Sequence, residues 1–153
     1  MGKIKKTISA ILLLTVILLC FSGCRPVYAT SFSHYTDFDG VYITVDEISA
    51  DEFGETLTVT WHNDTDHIVT YGLDYTVEFY KNGEWGDIQL TDFAIPEIAC
   101  ILSPHSTMTQ KYTTKYFNTF AEGDYRIRVG FLIENESGCI GGSSFAPFAK
   151  GYK

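Results

Sequence analysis

Basic side chains are scarce. Among 153 residues there are 11 Lys and Arg against 19 Asp and Glu, a formal net charge of −8 that argues against a nucleic-acid partner. Helical periodicity is also lacking: no helix longer than about two turns is predicted after residue 40. The signatures of common catalysis are absent, with no Gly-x-Ser-x-Gly elbow, no His-Glu-x-x-His helix, no Cys-x-x-Cys and no phosphate loop. Accordingly no catalytic residue, cofactor or metal is assigned, and an enzyme is not expected. Disorder is excluded from the other side, because 45% apolar and 15% aromatic content suits a packed core.

Only one long apolar run occurs, and it lies at the front. Lys3, Lys5 and Lys6 precede a stretch from Ile8 to Phe21, followed by Ser22, Gly23 and Cys24. Those fourteen positions fall short of the roughly 20 that a permanent membrane span needs, so residues 1–23 read as a cleaved export signal. Small residues before Cys24 resemble the lipobox of bacterial lipoproteins, which implies that Cys24 carries the lipid. Phe21 departs from the Leu usual there, and Val27-Tyr28-Ala29 offers an ordinary cleavage site as the competitor.

Loss of residues 1–23 removes three lysines and no acid, leaving 8 basic and 19 acidic groups and a net charge of −11. Such a surface repels anionic headgroups, so the membrane would be reached through acyl chains rather than a polybasic patch. The expected location is the cell membrane, facing outside the cytoplasm. Cys100 and Cys139 remain as the other cysteines, and in an oxidising compartment they either pair or stand as two small hydrophobes.

Residues 24–40 show no periodicity and are expected to act as a tether. From position 41 the pattern changes to alternation, which predicts half-buried strands. Val41, Ile43 and Val45 share one face, as do Leu57, Val59 and Trp61, then Tyr75, Val77 and Phe79. Asn82-Gly83 between Tyr80 and Trp85 predicts a two-residue hairpin turn and a returning strand to Thr91. A strand follows over Thr107 to Thr113, then the longest series, Tyr125, Ile127, Val129, Phe131 and Ile133, expected to be central. Cys139 to Phe148 supplies a closing strand, placed at an edge by Pro147. About seven short strands joined by turns give an all-β, antiparallel β-sandwich over residues 41–148, with a barrel as the competitor.

The order of these motifs resembles a bacterial immunoglobulin-like domain family of exported proteins. The resemblance rests on Leu57-Thr58-Val59-Thr60-Trp61, Asn63-Asp64-Thr65, Thr70-Tyr71-Gly72 with Tyr75, Lys81-Asn82-Gly83-Glu84-Trp85, Leu102-Ser103-Pro104 and Gly123-Asp124-Tyr125-Arg126-Ile127. It implies an immunoglobulin-like sandwich and a non-enzymatic role. Gly72 is expected to permit a backbone conformation other residues resist, and Tyr125 resembles a tyrosine corner. Relatives often carry Gly where His105 stands. The antibody-type cysteine pair would fall near Val59 and Ile127, both apolar here, so the sandwich is expected to rely on packing.

Two groups of residues compete as sites. His62, Asp64, Asp66 and His67 are the densest set of metal-ligand types, but Asp and Asn are what a turn prefers, and a solvated loop is the expectation. The aromatic surplus is the stronger lead. Tyr80, Trp85 and Tyr112 are the expected ligand surface, with Tyr71, Tyr116, Phe117 and Phe120 as further candidates, facing a protein or an envelope glycan.

Overall fold

The computed structural model describes residues 32–51, 54–91, 94–117, 122–136 and 138–150. Ten strands and no helix occur among the described residues: β1 (Tyr35–Thr36), β2 (Val41–Asp51), β3 (Gly54–Asn63), β4 (Ile68–Gly72), β5 (Thr76–Lys81), β6 (Glu84–Asp87), β7 (Ala99–Leu102), β8 (Ser106–Thr113), β9 (Gly123–Asn135) and β10 (Gly138–Lys150). All pairings are antiparallel. One sheet has three strands in the order β2-β3-β8, and the other has seven.

Alternation decides which side of each strand is dry. Leu57, Val59 and Trp61 from β3 and Ile127, Val129 and Ile133 from β9 are fully buried, as the period of two requires. Trp61 stacks on Tyr71 of the facing sheet with ring centroids 4.3 Å apart. On the other flank the backbone N–H of Ile43 donates to the buried Ser144 Oγ at 3.0 Å, tying β2 to β10. Where antibody domains place their cysteine bridge, this sandwich has Val59 and Ile127, both at zero exposure.

β9 is central, as its long series predicts. It pairs with β10 along one side, while β4 and β5 lie end to end along the other. Among the described residues β10 is flanked on its far side only by the two residues of β1. Ser143 exchanges hydrogen bonds with Asp37 on that far side, so Pro147, four residues on, aims its missing N–H at the same open edge.

Turn chemistry follows the sequence in one hairpin and departs from it in two turns. Asn82 and Gly83 have φ of 57° and 90°, the two positive angles a tight hairpin demands. His105 stands at φ 51°, the left-handed region in which the family's glycine would be at ease. Gly72 has no positive φ, so the backbone freedom expected of it is not used, and the nearest atom to a Cβ there is the movable end of the Asp74 side chain.

Three strands, β1, β4 and β7, are additional to the seven or so expected, and β6 stops at Asp87 instead of Thr91. The expected tether is also shorter. Phe32, Tyr35 and Thr36 pack on or pair with the seven-stranded sheet, so the domain begins before position 41. The signal segment, Cys24 and Ala29 lie outside the described residues.

Candidate functional site

The outer face of the seven-stranded sheet holds two adjoining regions. Its lower part, toward the start of β9, collects Tyr80 and Trp85 from the β5–β6 hairpin, Arg126 from β9 and Phe145 from β10. Tyr80 and Trp85 are directly paired, with ring centroids 5.1 Å apart, as alternation places them on one face. Both rings already have neighbours. Phe32 sits edge-on to both, at 4.7 and 5.0 Å, and the Arg126 guanidinium lies between Trp85 and Phe145 at 4.5 Å from each. Beneath this layer Glu78, 4% exposed, accepts from Arg126 Nε and faces Arg128 Nη1 at 3.4 Å.

Tyr112, expected beside them, is elsewhere. It is buried between the sheets, opposite Leu57 on the inward side of β8, and its hydroxyl accepts a hydrogen bond from Trp61. Threonines alternating with Met108, Gln110 and Tyr112 point outward on that strand, so the inward period captures the tyrosine. Tyr71 and Phe117 are core residues too, and Tyr116 is half-buried. Phe120 lies outside the described residues.

Of the two readings open for the cysteines, a pair or two small hydrophobes, the structure has them unpaired. β7 and β10 are separated by β4 and β9, three strand spacings or about 14 Å, beyond the roughly 7 Å a disulfide spans. Moreover, Cys100 packs against the interior while Cys139 shares the outer face with its partner Glu134.

The histidine and aspartate set disperses. His62 stacks on Tyr42 at 4.5 Å on the outer face of the three-stranded sheet, whereas Asp66 bonds His105 Nε2 at 2.8 Å across the loop. Asn63, beside them, is the polar centre of these loops. It is fully buried and donates from Nδ2 to the carbonyls of His67, Leu102 and Ser103, while its Oδ1 accepts from Thr65. Among the described residues no three His, Cys, Asp or Glu side chains gather as a metal site.

Sequence reasoning missed the upper part of the outer face. There an open groove of about 490 Å³ crosses β10, β9, β4 and the start of β7. Gly130 and Gly141 form its floor, Leu132 and Ile98 stand along it at 48% and 49% exposure, and Asp74 and Glu97 rim it. Register extends the apolar surface: Ile101, Thr70 and Leu132 lie in one row across the sheet, with Ile68 one row above. Contiguous exposed aliphatics of this kind mark interaction sites more often than solvated faces.

No curated protein matches the chain. A family model described as bacterial Ig-like domain matches residues 37–139, about two thirds of the length, from the turn before β2 into β10. With two antiparallel sheets packed around Trp61, Val59 and Ile127, the chain belongs to the bacterial Ig-like domain family.

Proposed function

We propose that this protein is an exported lipoprotein whose Ig-like domain binds a protein of the cell envelope through the outer face of its seven-stranded sheet. Family membership supports a structural or binding module rather than a catalyst. Lipid attachment at Cys24 rests on the basic start, the short apolar run and Ser22-Gly23 before the cysteine. Seven residues then lie between Cys24 and Phe32, eight Cα steps with a reach of at most about 28 Å, so the domain would stay close to the membrane.

One observation carries the choice of face. Exposed Ile68, Ile98, Ile101 and Leu132 surround a glycine-floored groove at the upper end, whereas Phe32 enters the fold at the lower end beside Tyr80 and Trp85. A tether attached below leaves that groove turned away from the bilayer. A protein partner is favoured over a glycan because sugar recognition needs open ring faces, whereas Tyr80 and Trp85 pack against Phe32 and Trp85 also carries the Arg126 guanidinium on its ring.

Mass spectrometry of the mature protein tests the anchor: a diacylglyceryl group on an N-terminal Cys24 is expected, and an unmodified N-terminal Thr30 contradicts it. For the binding role, a photo-crosslinker at position 101 in intact cells should yield a discrete adduct. A crosslinker at Thr109, on the outer face of the other sheet, should not, and equal labelling from both contradicts the assignment.

A further inference from the structure

Glycine inside a strand weakens it unless something must come close to the backbone. The two floor glycines of the groove differ in this respect from Gly142 beside them. A Cβ on Gly142 would lie 2.7 Å from the Phe131 ring, so internal packing accounts for that residue. A Cβ on Gly130 would meet only the Gly142 carbonyl at 4.0 Å, and one on Gly141 only ordinary contacts from 3.5 Å outward. Neither Gly130 nor Gly141 has a positive φ. Nothing among the described residues therefore requires glycine at either position, yet both lie at the base of the same groove, on the outward checkerboard of β9 and β10.

The charge around this groove has one sign. Asp74 and Glu97 line it, and Glu134 stands on the outer face two residues beyond Leu132. Among the described residues no Lys or Arg lines it. Arg128, the nearest base along β9, faces the opposite way, toward Glu78 at 3.4 Å and Asp87 at 3.5 Å. The remaining described bases, Lys81, Lys111, Lys115, Arg126 and Lys150, lie on the lower half of the fold, at the β5–β6 turn, on the lower part of β8 or by the ends of β9 and β10.

From the bare floor, the aliphatic walls and the acidic rim together we infer that the groove takes an extended peptide segment carrying both aliphatic and Lys or Arg side chains. The missing Cβ atoms let a peptide backbone lie against the sheet. Leu132 and Ile98 then meet its apolar side chains, and Asp74 and Glu97 meet its cations, whose long stems can reach the rim from a buried backbone. The inference rests on the reading of the chain as a protein-binding module and names the chemistry of its partner.

Three fluorescent octapeptides serve as probes, alternating Val with Lys, with Ser or with Glu, titrated against the full mature chain. The Val–Lys peptide should bind at least tenfold more tightly than the Val–Ser peptide, with the Val–Glu peptide weakest and the preference shrinking at high salt. Gly130→Phe fills the groove without altering charge, so it separates the groove from the general attraction of an acidic protein for cations. It should weaken Val–Lys binding at least tenfold while leaving the melting temperature within a few degrees of wild type. Asp74→Asn with Glu97→Gln should remove the preference for Val–Lys over Val–Ser. Equal Val–Lys binding by wild type and Gly130→Phe overturns the inference, as does no binding of that peptide. If Val–Ser binds as well as Val–Lys and both are lost in Gly130→Phe, the cationic class is overturned while the binding-module reading stands. That reading fails separately, in the crosslinking at positions 101 and 109.

Discussion

Trp61 Nε1 donates a hydrogen bond to the Tyr112 hydroxyl at 3.2 Å, joining β3 to β8 inside the sandwich. Both rings are buried, so neither polar atom can turn to water. Tyr112→Phe should cost about 1–3 kcal/mol, because it leaves the indole N–H without its partner in a dry site. Urea denaturation followed by tryptophan fluorescence would measure it, and a cost below about 0.5 kcal/mol would count against this bond as a structural element.

Asn63 holds three loop carbonyls and Thr65 in one buried network. Asn63→Asp preserves shape but replaces the donor with an anion facing carbonyl oxygens. The expected loss is about 3 kcal/mol or more, exceeding that of Asn63→Ser, and hydrogen exchange should rise first at residues 64–67 and 103–105. Unchanged exchange in those loops would contradict the assignment of Asn63 as their organiser.

Glu78 and Arg126 form an ion pair beneath the aromatic layer, with their side chains 5% and 23% exposed. Arg126→Ala removes the charge and also the layer between Trp85 and Phe145, so it should destabilise by about 3 kcal/mol. The double change Glu78→Leu with Arg126→Met should cost less than Arg126→Ala alone, since it leaves no buried carboxylate facing only the more distant Arg128 Nη1 at 3.4 Å. A double variant less stable than the single one would refute this account of the layer.

Burial pushes the hydroxyls of Tyr71, Tyr75 and Tyr125 up to about 12, and that of Tyr112 higher still. Unfolded tyrosine ionises near pH 10, so above that pH the unfolded chain gives up protons that the native chain keeps. The stabilisation is fully present below about pH 10 and is lost as the pH passes about 12, with a slope of up to roughly 1.4 kcal/mol per pH unit for each buried tyrosine. Tyrosinate absorbance should therefore rise together with loss of the β-sheet circular dichroism. Titration of every tyrosine near pH 10 with the sheet signal intact would contradict the burial.

The strands legible in the sequence are those with one wet and one dry side. In β3 the threonines Thr56, Thr58 and Thr60 oppose Leu57, Val59 and Trp61, and in β9 Arg126 and Arg128 oppose Ile127 and Val129. β4 and β7 were hidden by the same residues that make the candidate site. Ile68 and Ile101 are outward yet apolar, 46% and 63% exposed, so Ile68-Val69-Thr70-Tyr71 and Ala99-Cys100-Ile101-Leu102 do not alternate cleanly. A short apolar run that fails to alternate, flanked by Gly or Pro, was the available signal. Gly141 and Gly142 fall inside the closing strand the sequence predicts, but a role for a glycine without a turn is visible only once its neighbours are placed. Tyr112 was misplaced because the inward positions of β8, Met108 and Gln110, are not uniformly apolar.

In the proposed binding role, the upper outer face of the seven-stranded sheet meets the partner. Hydrogen exchange of the protein in envelope vesicles, compared with the purified chain, tests it most directly. Protection is expected in residues 97–102, 130–132 and 141–143. Protection confined to the threonine face of β3 and β8, or to the Phe32, Tyr80 and Trp85 end, would contradict it.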